Sequence, residues 1–194
     1  MEKEEHLKDG TEIVVRDLRA NDLDLLMKFY RALSPEDRKY LKFEVLDRNV
    51  VAKRLQRVVT GEDFRVAALH LDKIVASGAL ELSEEPWSRH RGEIRVIVSP
   101  RFQHRGLGTI MIRELYFLAV QQKLETVTAW MMRPQVNAQH IFRKLGFREV
   151  NLLPDFVKDL DGASQDLIVM ACSLKDLSRE LTHAFGDSDW ERCR

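Results

Sequence analysis

The sequence lacks a net charge, long apolar runs and a leader-like start, and each absence excludes a class of protein. Its 31 lysines and arginines are balanced by 31 aspartates and glutamates, so no global basic field favours nucleic acid or an anionic membrane. No segment reaches the length of a membrane span, and the opening M-E-K-E-E-H-L-K-D lacks the apolar run of a signal peptide. We therefore predict a cytoplasmic protein that binds neither nucleic acid nor membrane.

Cysteine and histidine are too sparse for a disulfide framework or a metal site. The two cysteines, Cys172 and Cys193, have no metal-like spacing, and the six histidines are scattered. We interpret the cysteines as reduced thiols and predict no metal. The 194-residue length fits one domain over 1–194, with a frayed charged arm at 1–10 and a C-terminal helical extension at 174–194.

Hydrophobic periodicity predicts the core element order β-α-α-β-β-β-α-β-α-β-β, a mixed central sheet flanked by helices on both faces. Residues 151–165 form a polar loop in this interpretation, with a hairpin turn at Asp161-Gly162. The helical stripe after residue 173 packs on its own domain or, as the alternative, forms a homodimer contact, with Trp190 as a terminal anchor. The stripe consists of Leu174, Leu177, Leu181 and Phe185.

The most informative stretch is R-V-I-V-S-P-R-F-Q-H-R-G-L-G-T, residues 95–109. It begins as a strand with alternating faces, and Ser99-Pro100 end that strand. Gly106 and Gly108 then lie where an apolar-periodic helix begins. Backbone N–H groups at such a junction can point into one concavity, and the helix N-terminus adds partial positive charge. The stretch therefore predicts a phosphate cradle.

Two common phosphate motifs do not fit this cradle. A dinucleotide fingerprint needs a third glycine where Met111 stands, and the Gly-Lys-Ser/Thr of a P-loop is absent. Gln103, Gly106 and Gly108 instead resemble the acyl-CoA signature Q/R-x-x-G-x-G/A of the GNAT superfamily of N-acetyltransferases. Downstream, A-Q-H-I-F-R-K-L-G-F at 138–147 resembles the family's second signature, A-x-x-x-Y-x-K-L-G-F. The resemblance covers roughly residues 12–172.

The resemblance implies a GNAT-like sheet whose two middle strands splay apart to admit pantetheine, with acetyl-CoA as cosubstrate. It implies that Ile97 and Val98 offer an open strand edge to the pantetheine amides and that the Val98 N–H faces the thioester carbonyl. It also places Asn137 and Phe142 beside the cofactor. The loop residues implied to hold the phosphates are Gln103, His104, Arg105, Gly106, Leu107, Gly108 and Thr109, with Arg101 as a further source of charge.

Glu93 is the candidate general base, because many family members place a glutamate at this point of the strand. If it is partly buried, its pKa rises and it can accept a proton directly or through water. The alternative is an outward-facing charge. The family's usual acid is a tyrosine where Phe142 stands, so water is the proposed proton source for the thiolate. His140, Tyr30 and Tyr40 are weaker substitutes.

The acceptor pocket is expected between residues 30–46 and the loop at 152–165, where acidic side chains would attract an amine. The stretch L-S-P-E-D-R-K-Y-L-K-F resembles a segment of acetyltransferase domains that modify protein lysines. We therefore predict an acetyl-CoA-dependent N-acetyltransferase acting directly on a primary amine of a small molecule or a protein lysine. The alternative is a non-catalytic acyl-CoA-binding module. The acids in question are Glu36, Asp37, Glu44, Asp155, Asp159 and Asp161, among the bases Arg31, Arg38, Lys39 and Lys42.

Overall fold

The computed structural model describes residues 2–83 and 85–186, which form eight strands and six α-helices. The strands are β1 (Glu2–His6), β2 (Glu12–Asp17), β3 (Asp63–His70), β4 (Lys73–Leu82), β5 (Arg91–Val98), β6 (Thr126–Met132), β7 (Arg148–Lys158) and β8 (Ser164–Ser173). The helices are α1 (Leu23–Ala32), α2 (Pro35–Lys39), α3 (Arg48–Val59), α4 (Leu107–Gln121), α5 (Val136–Lys144) and α6 (Leu174–Phe185). None of these helices is long and apolar enough to cross a membrane.

All eight strands form one sheet in the order β1-β2-β3-β4-β5-β6-β8-β7. Neighbouring strands are antiparallel except β5 and β6, which run parallel. The β5–β6 ladder ends at the pair Glu93–Thr128, although β5 continues to Val98 and β6 to Met132. The two middle strands therefore diverge, which confirms the predicted splayed sheet.

Helices pack on both faces of the sheet because alternate residues of its strands point to opposite sides. In β3, Val66 and Ala68 join the apolar cluster of α4 and α6, while Ala67 and Leu69 join the cluster of α1 and α3. Local signals fix the helix starts: the Ser34 hydroxyl accepts the Asp37 N–H at 3.1 Å, and Pro35 takes the first helical position of α2. This confirms the predicted mixed α/β layers.

The prediction of a frayed N-terminal arm was wrong, because Glu2–His6 form β1 and pair with β2 along the sheet edge. The inward side chains of this strand are charged, so its sequence has no apolar alternation. Lys3 and Glu5 instead pair with a buried glutamate and a buried arginine of α4. Leu7, directly after β1, is buried in the core.

The prediction of a polar loop over residues 151–165 was also wrong in most of its length, since β7 continues to Lys158. This edge strand is exposed on nearly every residue, which explains its loop-like composition. The predicted hairpin is confirmed: the Asp159 carboxylate accepts the N–H groups of Asp161 and Ala163 in the turn between β7 and β8.

The stripe on α6 packs on its own domain. Leu177 and Leu181 are fully buried, and α6 lies against α4, so this stripe provides no free surface for a homodimer. The predicted anchor Trp190 and the second cysteine, Cys193, lie outside the described residues.

Candidate functional site

The loop between β5 and α4 leads into a helix start whose first backbone N–H groups lack internal acceptors. Gly106 is the residue before the helix and has a φ of 88°, a left-handed conformation that favours glycine. The N–H groups of Thr109 and Ile110 both donate to the Gly106 carbonyl. The N–H groups of Leu107 and Gly108 belong to the first helical turn, where an α-helix has no internal acceptor. This arrangement suits an anion at the N-terminus of α4.

Side chains and the N-terminal segment hold this loop in place. The Gln103 amide donates to the Val98 carbonyl at 3.1 Å and so ties the loop to the end of β5. The Lys8 N–H donates to the Arg105 carbonyl, and the Arg105 guanidinium pairs with Asp9 at 2.9 Å. The predicted phosphate ligand Arg105 is thus engaged by the segment after β1, while His104 is exposed beside it with a φ of 61°.

Gly108 has room for a side chain in the protein itself. A Cβ added there would lie 4.0 Å from Val98 Cγ2, which is an ordinary van der Waals contact. Folding therefore does not require glycine at this position. The open space instead adjoins the end of β5 and the first turn of α4, where a ligand phosphate would approach the backbone.

The open side of β5 exposes backbone groups to the gap between β5 and β6. The Ser99 N–H donates to the Val75 carbonyl, and a strand alternates the direction of successive N–H groups. The N–H and C=O of Val98 consequently face the gap, as do those of Val96. The backbone groups of Ile97 face β4 instead, where Ile97 pairs with Ser77, so Ile97 borders the site through its side chain.

Glu93 lies at the point where β5 and β6 separate. Its side chain is 15% exposed and faces the α1 and α3 side, so it is not an outward surface charge. Lys42 Nζ donates to Glu93 Oε2 at 2.8 Å, and Arg95 Nε lies 3.7 Å from Oε1. The buried Oε1 has no hydrogen-bond partner among the described residues, which leaves it able to accept a proton.

Glu81, which sequence reasoning missed, is the cross-strand neighbour of Glu93. Its Oε1 contacts Arg95 and lies 2.8 Å from Arg54 and 3.0 Å from Arg65. Burial would raise the pKa of Glu81, but the surrounding cations lower this pKa below its ordinary value. We call these six side chains the pocket ion cluster: Lys42, Arg54, Arg65, Arg95, Glu81 and Glu93.

A small pocket opens beside this cluster, and we call it the β5 pocket. The Tyr30 phenol lines it, and burial raises the pKa of that phenol, which therefore stays protonated and able to donate. The full lining is Tyr30, Leu41, Lys42, Phe43, Arg65, Ser77, Gly78, Ala79, Arg95 and Ile97. Four lining residues come from the segment 30–46 where the acceptor pocket was expected, whereas none comes from residues 152–165.

The acidic side chains expected in the acceptor pocket are absent from this lining. Asp159 holds the β7–β8 turn, Asp161 pairs with Lys39 at 2.8 Å, and Asp37 accepts the Ser34 hydroxyl at the start of α2. The Leu160 N–H donates to the Lys39 carbonyl, so the hairpin does lie beside α2. Its acids are nevertheless used in turns and ion pairs, and the charged side chains that line the β5 pocket are basic.

The second signature forms α5. Phe142 is buried against Phe147, with ring centroids 4.9 Å apart, and carries no proton for an acid step. Asn137 is exposed in the first turn of α5, and His140 is exposed farther along the helix. The Gln135 side chain accepts the Met132 N–H at 2.8 Å and so caps the end of β6.

A family comparison matches residues 24–147 to the Acetyltransferase (GNAT) family. A curated relative, the [ribosomal protein bS18]-alanine N-acetyltransferase of Haemophilus influenzae, is 26% identical over 80 residues. That match covers 41% of this chain and 53% of the relative, so the similarity spans about half of the relative's length.

Solved structures show the same fold at low sequence identity. The ribosomal-protein-S5-alanine acetyltransferase of Vibrio fischeri has a TM-score of 0.76 and 14% identity, covering 91% of this chain and 98% of that one. The yncA protein of Salmonella typhimurium, solved with its cofactor acetyl-CoA, has a TM-score of 0.70 and 18% identity, covering 84% of this chain and 94% of that one.

Proposed function

Because the chain belongs to the GNAT acetyltransferase family, we propose that it transfers the acetyl group of acetyl-CoA directly to a primary amine, with Glu93 as the general base. One observation carries this proposal: β5 leaves β6 directly after Glu93. The gap that opens there is bordered by the Val98 N–H and leads to the donor-rich start of α4. A base, a thioester site and a phosphate site thus follow one another along one strand and loop.

The cosubstrate fits the groups that border this gap. The pyrophosphate would lie against the backbone N–H groups at Gly106, Leu107 and Gly108, with the helix dipole adding attraction. The pantetheine amides would pair with the backbone N–H and C=O of Val96, since the Val98 carbonyl already accepts the Gln103 amide. The Val98 N–H would donate to the thioester oxygen, where negative charge develops during attack.

The proton transfers follow from the side chains near the β5 pocket. Glu93 Oε1 takes a proton from the ammonium form of the acceptor, directly or through one water, and the free amine attacks the thioester carbonyl. Collapse of the tetrahedral intermediate then expels the CoA thiolate, and the surplus proton on the new amide nitrogen passes through water to that thiolate. Since a thiol has a pKa of about 8.5, water can protonate this leaving group, which agrees with a phenylalanine at position 142.

Phe142 also favours a second candidate function, a non-catalytic acyl-CoA-binding module. The family resemblance leads one to expect a hydroxyl at this position, and without it the protein could bind the thioester and not turn it over. The two candidates share the cofactor site and differ in thiol release.

The test compares Gly108→Glu with Gly108→Ala. Because the Gly108 Cβ position is open, both variants should fold, but the glutamate carboxylate would repel the pyrophosphate. We expect acetyl-CoA to raise the melting temperature of wild type and Gly108→Ala, and to leave Gly108→Glu unshifted. Acceptor-dependent thiol release should follow the same pattern.

Two results would contradict parts of this account. An equal acetyl-CoA shift in Gly108→Glu would mean that the phosphate site is misplaced. A clear acetyl-CoA shift in wild type, with no thiol release for any amine, peptide or lysine-containing protein tested, would favour the binding module.

A further inference from the structure

The charges around the β5 pocket point to the chemistry of the acceptor. Resting on the acetyl transfer proposed above, we infer that the acceptor is a small amine that also carries an oxyanion, such as a carboxylate or phosphonate, and that Arg95 and Arg65 bind this oxyanion. This reverses the expectation that acidic side chains attract the substrate.

The pocket ion cluster has more cations than carboxylates. Its four basic side chains adjoin Glu81 and Glu93, and Glu81 is contacted by three of the arginines. When the ion-paired series Asp63, Arg57 and Glu62 beyond Arg65 is included, five cations face four carboxylates. The next carboxylate, Asp63, lies 3.6 Å from Arg65 but also pairs with Arg57 at 3.0 Å. An additional anion in the pocket would therefore be attracted.

The cluster also contains buried donors that lack acceptors. Arg65 is 7% exposed and its Nε is without a hydrogen-bond partner within the described residues, as is Nη1 of Arg95. Both arginines line the β5 pocket. A buried donor without an acceptor is costly, and a planar guanidinium pairs well with a carboxylate or phosphonate. A substrate oxyanion would supply the missing acceptors.

The position of Arg95 indicates that the oxyanion belongs to the acceptor and not to CoA. Arg95 stands two residues after Glu93 on the same face of β5, so their Cα atoms are about 6.6 Å apart. The CoA phosphates belong beyond Ser99, at the start of α4. An amine at Glu93 and an oxyanion at Arg95 therefore fit within one small molecule, with only a few bonds between the two groups.

The decisive experiment uses pairs of amines that differ only in the anion. L-amino acids are compared with their carboxamides, and an aminoalkyl phosphonate with its neutral ester, in a buffer free of sulfate and phosphate. Thiol release gives kcat and KM, and the melting temperature of the CoA-saturated protein gives binding without turnover. We expect the anionic partner of each active pair to be favoured about 10- to 100-fold in kcat/KM.

Variants assign the preference to a side chain. Arg95→Gln should raise KM about tenfold or more for the anionic amine and raise it less for the neutral amine, so the ratio of kcat/KM between the two partners should fall towards one. Arg89→Gln is the matched control, because it removes the same charge from an exposed position outside the pocket lining. If Arg95→Gln does not fold, the comparison of anionic and neutral amines with the wild-type protein still shows whether an oxyanion is preferred.

Failure of this inference can be distinguished from failure of acetyl transfer. Thiol release with neutral amines or protein lysines that equals or exceeds release with anionic amines would overturn the oxyanion site and keep the enzyme. Binding of anionic amines to the CoA complex without thiol release would keep the oxyanion site and overturn the transfer. An unchanged preference in Arg95→Gln would remove Arg95 from the site.

Discussion

Two groups of largely buried charged side chains lie on opposite faces of the sheet and differ in how completely they are paired. On one face, Arg113 and Glu114 of α4 meet Lys3 and Glu5 of β1, and we call these four the α4 ion cluster. On the other face lies the pocket ion cluster. The first has two cations for two carboxylates. The second, counted with the ion-paired series Asp63, Arg57 and Glu62 that adjoins Arg65, has five cations for four carboxylates.

The two ion clusters also differ in how many of their side-chain atoms are hydrogen-bonded. Glu114 is fully buried and accepts Lys3 Nζ at 2.9 Å and Arg113 Nη2 at 2.8 Å. Burial would lower the pKa of Arg113, but Glu114 and Glu5 raise this pKa above its ordinary value. Within the described residues, the buried side-chain atoms without hydrogen bonds all belong to Arg65, Arg95 and Glu93 of the pocket ion cluster.

This difference in pairing indicates a structural role for the α4 ion cluster and a functional role for the pocket ion cluster. A balanced and fully bonded cluster holds β1 and α4 together and needs no further group. An unbalanced cluster beside an open pocket has unmet donors and one unmet acceptor, which a ligand can supply. Substitutions in the first cluster should therefore change stability alone, whereas substitutions in the second should change catalysis as well as stability.

Glu114→Ala should have the largest effect on stability. The substitution leaves Lys3 without its buried partner and removes one of the two carboxylates at Arg113, and breaking a buried ion pair typically costs about 3–5 kcal/mol. Denaturant unfolding should show this loss in the free energy of unfolding. Glu4→Ala is the control, because Glu4 is an exposed residue of β1, the strand that carries Lys3. It should change the free energy of unfolding by less than about 0.5 kcal/mol. A loss in Glu114→Ala as small as that of the control would contradict a structural role.

Glu81→Gln should have a smaller effect that depends on pH. The folded-state pKa of Glu81 lies below its ordinary value, so its stabilising contribution is present above the unfolded pKa of about 4.3 and is lost as pH falls through the folded pKa. At pH 7 the variant should lose about 1–3 kcal/mol. The difference in melting temperature between wild type and variant should close below pH 4 or so. A difference that is constant with pH would mean that packing, and not charge, explains the loss.

Most elements could be predicted because they depend on local signals, and the splay of the sheet was implied by the family resemblance. Gly106 and Gly108 mark the start of α4, Ser34-Pro35 mark α2, and two short signatures carry the family resemblance. β1 could not be predicted, because its inward residues Lys3 and Glu5 are polar and their partners lie on α4, more than a hundred residues away.

The basic character of the pocket also depends on contacts that no local pattern reveals. Glu81 faces Glu93 only through the β4–β5 register, and Arg65 reaches the same place from β3. The acids near α2 were misassigned because the β7–β8 turn and Lys39 use them, and such pairing depends on how the hairpin folds back. Composition could not distinguish these acids from substrate-binding ones.

The most direct test of the central claim, that Glu93 is the base of an acetyltransferase, is the single-turnover rate of acetyl transfer by Glu93→Gln at saturating acetyl-CoA. Glutamine keeps the size of the side chain and cannot take the proton, so we predict a fall of about 100-fold or more with unchanged acetyl-CoA affinity. The deficit should shrink at high pH, where more of the amine is already unprotonated. Glu36→Gln, an exposed control, should retain the wild-type rate. A wild-type rate in Glu93→Gln would contradict the account.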